Sequence, residues 1–371
     1  MKPDSRHAAK IYRLFSNGSA DRKIFFLLFV AIFSSTLGNG LVVPLLPGYA
    51  HQMGATNFLI GLIFGIFSLS RMAMVPVVGH LSDTRGRKPF ITSGLFAYFL
   101  ASVLFIFADS VFLVILVRFV QGGAAAMILP VAQAYAGDIS AAEKEGSAMG
   151  FIQMAMYGGL STGPLIGGII KDSFGINTAF MMMGLVCLAG FMLSLVFLPP
   201  VKKEASASMA GKPGLYTEIL KNRRVAGLLV FMLAYIICIG SLWSFIPLIA
   251  DVKFNLPTIS IGIIITLCVF ISAVLMKPMG AAADRYNKKS LLIAGGLLIA
   301  LSMLCLVLAK QAWHLYLASI LVGIGGGVSV PSVMALAVIA GRASGGMASM
   351  MSLLTVAHSL GMITGPVLIA P

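Results

Sequence analysis

In the stretch GHLSDTRGRKPF, Gly79 to Phe90, one acid and three bases stand between two long apolar runs, in a chain only 10% charged. Charge-assisted hydrogen bonds are strong when dry and readily exchanged for water. Such a residue set suits a latch that must close and reopen. Asp83 is a candidate for a helix N-terminus, where the macrodipole favours an anion by ~0.3–1 kcal/mol. Gly79 and Gly86 permit close backbone approach and a tight turn. The plainer role for Arg85, Arg87 and Lys88 is to fix which side of a membrane the loop occupies.

Other candidates lie deeper. Arg118 is set inside an apolar run, where an unpaired charge costs at least ~2.5 kcal/mol. A polar cavity or a coupling role accounts for it, with snorkelling to the nearer interface as the plain alternative. Gln121, one turn on, shares its face. Gln153, Tyr157 and Ser161 form a polar stripe, and Gln153 and Tyr157 are candidates to line a substrate cavity. Opposite them, Gly159, Gly163 and Gly167 have the small-x-x-x-small spacing of close helix packing. Gly168 belongs to the same motif, and Pro164 removes a backbone hydrogen bond and predicts a kink. Tyr235 and Trp243, which share a face, and Asn39 are further substrate-cavity candidates, and His358 is another deep polar group; packing is the plain alternative for all four. His358 titrates near neutrality, which makes it a coupling candidate. Arg71 is a weaker case, since a helix contact could satisfy it.

The elements that must hold these residues are membrane helices. The chain has 371 residues, 59% of them hydrophobic, with mean hydropathy +0.99, whereas a soluble domain carries roughly a quarter charged residues. A span needs about 20 apolar residues. That rule predicts eleven, near 24–46, 58–79, 90–108, 111–134, 148–170, 178–198, 225–250, 259–280, 290–309, 313–339 and 347–371. Helix is the expected form, because each backbone polar group must be satisfied within its own segment. The alternating ten-residue segments of an outer-membrane barrel are absent from the sequence.

Residues 1–23 are expected to be a cytoplasmic N-terminal segment, since the apolar run that follows is too long for a signal-peptide core. The N-terminus and the connections after even-numbered spans hold twenty Lys and Arg, whereas the other connections hold only Lys171, Lys253 and Lys310. The positive-inside rule therefore predicts a cytoplasmic N-terminus and a cytoplasmic opening motif. The same distribution assigns the net charge of +14 to topology, and nucleic acid is not an expected partner. Cys187, Cys238, Cys268 and Cys305 each fall inside an apolar run without metal or disulfide spacing. No metal or cofactor is expected.

The chain also repeats itself. GHLSDTRGRK is answered by GAAADRYNKK, so that Gly79 and Gly280, Asp83 and Asp284, and Pro130 and Pro331 are each 201 residues apart. The TGP at Thr162–Pro164 recurs at Thr364–Pro366. Shared order and near-constant offset mark two homologous halves, and an even number of intervening spans makes them parallel repeats. The expected units are a six-helix bundle over 24–198, a cytoplasmic loop over 199–224 and a second bundle over 225–371. The second bundle holds five helices, and a fragment lacking the twelfth span is expected.

This arrangement resembles the major facilitator superfamily. The loop motif matches the family's signature at Gly79, Asp83, Arg85, Gly86, Arg87 and Lys88. RFVQGGAAA, Arg118–Ala126, is similar to the family's Arg-x-x-Gln-Gly pattern, and GGLSTGPLIGG, Gly158–Gly168, resembles the motif of its drug:proton antiporter branch. The resemblance implies an all-α polytopic fold of two six-helix repeats. It also suggests Asp138, at the cytoplasmic end of span 4, as the partner of Arg87. Many proton-driven members carry a buried acid in span 1, where this chain has Ser35; Asp138, Asp251 and His358 are the remaining titratable candidates.

No Gly-x-x-x-x-Gly-Lys-Ser/Thr loop is present, which argues against ATP as the power source, and no acidic pair within the spans supports an intramembrane enzyme. The expectation is a monomeric secondary transporter of the inner or plasma membrane. It would move a small amphipathic, drug-like compound outward by alternating access, in exchange for protons. A metabolite uniporter or importer of the same fold and a non-transporting membrane sensor are the alternatives.

Overall fold

The computed structural model describes residues 18–200, 219–256 and 258–369. Eleven long helices account for nearly all of them: α1 (Gly18–Val42), α2 (Asn57–Arg85), α3 (Lys88–Ile106), α4 (Val111–Ile139), α5 (Glu145–Phe174), α6 (Ile176–Phe197), α7 (Arg223–Val252), α8 (Thr258–Arg285), α9 (Lys288–Val307), α10 (Trp313–Ser344) and α11 (Met347–Ile369). The helix boundaries follow local chemistry. Thr56 and Ser110 cap α2 and α4 by accepting from Leu59 N–H and Leu113 N–H. Gly86, at φ 92°, ends α2 in a conformation that side chains resist.

One expectation is refined and one corrected. The first span, expected over 24–46, is one candidate crossing from Arg22 to Gln52, but its helix is interrupted: α1 stops at Val42 and the chain continues through a 3-10 turn (Val43–Leu45) and a short helix (Leu46–Gln52). Pro44 and Pro47 each occupy a first turn there, where the missing N–H is tolerated but an unbroken ladder is not. Of the eleven expected spans, ten among the described residues are long and apolar enough to cross a membrane. The exception is α5, whose interior is diluted by glycines and by Gln153, Ser161 and Thr162.

The packing repeats in the two halves. In the first, α1 packs on α5, α2 on α4 and α3 on α4; in the second, α7 packs on α11, α8 on α10 and α9 on α10. The TGP repeats sit at equivalent seams. A Cβ on Gly163 would lie 2.6 Å from Gly40 Cα in α1, and one on Gly365 would lie 3.3 Å from Gly240 Cα in α7. Two further pairs join the halves, α5 with α8 and α2 with α11. The ends of α2, α4, α8 and α10 and the starts of α3, α5, α9 and α11 share one face, here called the basic face. The central connection expected over 199–224 falls mostly outside the described residues.

Candidate functional site

At the basic face the two halves are tied by a pair of equivalent contacts. Asp83, at the end of α2, accepts from Ala348 N–H, Ser349 N–H and Ser349 Oγ, each at 3.1 Å. Those donors open α11, so the carboxylate caps a helix of the opposite half. Asp284, at the end of α8, accepts from Gly146 N–H at 2.6 Å, Ser147 N–H at 2.8 Å and Ser147 Oγ. These donors open α5. The repeat in the sequence is thus a repeat in the contact: the last turn of one helix caps the first turn of another across the halves.

Arg87 fixes the first of these carboxylates. Its Nη2 donates to Asp83 Oδ1 at 2.6 Å and to Asp138 Oδ2 at 2.9 Å, its Nε also reaches Asp138 at 3.0 Å, and its Nη1 reaches Ser82 Oγ at 3.1 Å. Burial works against its charge, but Asp138 and Asp83 outweigh that and hold the guanidinium above its ordinary pKa. Arg85 and Lys88 take no part. Arg85 is exposed in the last turn of α2, where a cation complements the helix C-terminus.

A second clasp was not signalled by the repeat. Arg342, in the last turn of α10, donates to Glu145 Oε1 at 2.6 Å, to Gly137 O at 2.9 Å and to Ser140 Oγ at 2.7 Å, and also to Ser140 O. It therefore spans the end of α4 and the start of α5 from the other half. The backbones come close at the same level. A Cβ on Gly79 would collide with Ser352 Oγ, and one on Gly280 with the Gly146 carbonyl. Ser352 Oγ itself donates to Val75 O at 3.0 Å across the seam.

Beyond this sealed face lies a cavity of about 590 Å³ between the halves. The first half contributes Asn39, Arg71, Tyr98, Arg118 and Tyr157, and the second Tyr235, Ser272 and His358. Tyr157 and Tyr235 meet hydroxyl to hydroxyl at 3.5 Å. Both lie twelve residues into their helices, about 18 Å from the basic face at 1.5 Å per residue. That is near the middle of a ~30 Å hydrocarbon core. Arg118 Nη1 donates to Gln121 Oε1 at 2.7 Å and Asn39 Oδ1 at 3.4 Å, its Nε reaches Ile63 O at 3.3 Å, and its guanidinium stacks 4.3 Å over the Phe67 ring.

Two expected cavity residues, Gln121 and Gln153, lie elsewhere. Gln121 is buried behind the wall, its amide oxygen taken by Arg118, and it does not line the cavity. Gln153 is buried, accepts from Gln133 Nε2 at 2.7 Å between α4 and α5, and likewise leaves the cavity. Ser161 bonds back to Gly158 O. Gly159, Gly163 and Gly167 face Thr36, Gly40 and Leu41 of α1, whereas Gly168 faces open space. Helix α5 continues through Pro164 from Glu145 to Phe174. The side chains of Trp243 and Asp251 lie outside the described residues. Sequence reasoning undervalued Arg71, although a base midway along an apolar run was the available signal.

A family model described as Major Facilitator Superfamily matches residues 28–369. The chain is 29% identical to an uncharacterized MFS-type transporter of Methanocaldococcus jannaschii, over 86% of this chain and 83% of that protein. It is 27% identical to multidrug resistance protein 2 of Bacillus subtilis, over 76% and 73% of the two chains. Among solved structures, that of the human organic anion transporter MFSD10 superposes with a TM-score of 0.79 at 16% identity, covering 93% of this chain and 92% of that one.

Proposed function

This chain belongs to the Major Facilitator Superfamily, and on that premise we propose that it exports a small amphipathic compound by alternating access, in exchange for protons. The observation that carries this function is the central cavity. It is lined from both halves, sits near mid-membrane depth and is closed toward the basic face by contacts between the halves. A binding site between two repeats near the bilayer midplane is what rocking of one repeat against the other requires.

The basic face is cytoplasmic in this proposal, following the Lys and Arg bias of its connections. The chain as described is then closed inward, and Asp83, Asp284, Arg87 and Arg342 hold it so. Cargo leaves outward while this face is closed, and returning to load from the cytoplasm requires those contacts to break and water to replace them. His358 lines the cavity with an imidazole, a group able to carry a proton, while no carboxylate lines the cavity among the described residues. Proton exchange is therefore assigned to His358. Likeness to a multidrug resistance protein supports drug-like cargo.

The test is reconstitution of the full chain in liposomes carrying an internal pH dye, with candidate compounds added under an imposed proton gradient. Coupled substrate and proton movement, lost in His358→Gln, is the expected result. Substrate movement without proton counter-flow contradicts exchange while leaving transport standing, and no substrate movement across a broad panel contradicts transport.

A further inference from the structure

We propose that the cargo site of this chain takes an organic anion, a carboxylate or similar head on an apolar body, and that Arg71 is its principal ligand. The inference rests on the transport function proposed above and names its substrate class. Arg71 and Arg118 both line the central cavity, and no Asp or Glu lines it among the described residues. The acids whose side chains are described are committed elsewhere or peripheral. Asp83, Asp138, Glu145 and Asp284 hold the basic face, and Asp109, Glu143 and Asp172 lie at helix ends or connections.

The two arginines are not equivalent. Arg118 spends its donors on Gln121, Asn39 and the Ile63 carbonyl and rests on Phe67. It supplies positive potential but few free donors. Arg71 has no ion pair or hydrogen bond among the described residues, and its Nε is buried without an acceptor. His358 Nδ1, on the facing helix of the other half, is likewise buried without a partner. Neither of these two atoms has a partner among the described residues, and a guanidinium at this depth is costly unless an anion or water meets it.

A carboxylate fits that deficit well, since it accepts from a guanidinium in a bidentate fork and brings the missing negative charge. Much of the rest of the wall is apolar, with Phe64, Leu129, Met156, Ile236, Val269 and Met362 offering a surface for a hydrocarbon or aromatic body. A cationic drug would instead meet two arginines with no counter-charge, a like-charge arrangement that excludes partners.

The experiment compares three ligands of one shape on the purified full chain by calorimetry: 1-naphthoate, 1-naphthamide and 1-naphthylmethylamine. Tightest binding by the naphthoate is expected. Arg71→Gln should weaken it by about tenfold or more, leave the amide unchanged as evidence of an intact cavity, and be partly rescued by Arg71→Lys. Equal or tighter binding of the amine or amide overturns the proposal, as does naphthoate affinity untouched by Arg71→Gln, or no binding of any of the three. Liposome assays separate the two levels. Movement of the amine without binding of naphthoate keeps transport and overturns the anion site. Naphthoate binding lost in Arg71→Gln, in a chain that moves nothing, sustains the anion site and overturns transport.

Discussion

Glu145, in the first turn of α5, holds Arg342, in the last turn of α10, through a 2.6 Å ion pair that joins the two halves of the molecule. Arg342 is partly exposed and Glu145 is buried, so the loss falls mainly on the glutamate. Glu145→Gln should cost about 1.5–3 kcal/mol, the range of hydrogen bonds to charged groups. In detergent unfolding, the double variant with Arg342→Gln should lose less than the sum of the singles by about 0.5–3 kcal/mol. Strictly additive losses would show that the pair is not coupled.

Arg87 neutralises two carboxylates at once, and that sets a sharper expectation. Arg87→Ala leaves Asp83 and Asp138 without their shared cation, and removing one partner of a buried pair costs about 3–5 kcal/mol. Arg87→Lys should recover only part of the loss. A single ammonium lacks the planar fork that now reaches Asp83, Asp138 and Ser82 together. Melting temperatures in detergent for the three proteins give the comparison, and a lysine variant as stable as the parent contradicts the need for the fork.

The glycines of α5 separate packing from sequence motif. Gly163→Ala would place a Cβ 2.6 Å from Gly40 Cα, whereas Gly168→Ala meets nothing within 4 Å. Overpacking of this kind costs about 1–3 kcal/mol, so Gly163→Ala should lower thermal stability measurably and Gly168→Ala should not. Similar losses from both would mean that the motif acts through something other than the α1–α5 seam.

Gly79 offers a test of the closed face with an internal rescue. Its Cβ in Gly79→Ala would run into Ser352 Oγ, which should hold the basic face ajar and raise labelling of engineered basic-face cysteines by a soluble maleimide. Adding Ser352→Gly removes the obstacle and should bring labelling back down. Labelling that stays low in Gly79→Ala contradicts the close approach.

Much of this is legible in the sequence, for identifiable reasons. Hydropathy marks helices because lipid leaves backbone groups no other partner, and the 201-residue offset carried Asp83 and Asp284 to equivalent caps. What escaped was contact without periodicity. Nothing in the spacing of Glu145 and Arg342 announces their meeting, because the repeat does not copy that pair. Gln153 looked cavity-facing from its stripe, yet Gln133 on a neighbouring helix takes its amide oxygen, and one helix's periodicity cannot show what stands opposite. Pro44 and Pro47 interrupt the helix of the first span where hydropathy alone runs on.

The central claim is that Asp83 and Asp284 together hold the basic face closed by capping α11 and α5 across the halves. Spin labels on the exposed positions Thr84 and Arg285, at the ends of α2 and α8, in a background lacking the four native cysteines, read that closure directly by pulsed dipolar spectroscopy in liposomes. Asp83→Asn and Asp284→Asn should each broaden the distance distribution toward longer values, and the double variant should shift its main population there. A double variant with the parent's distribution would contradict the account.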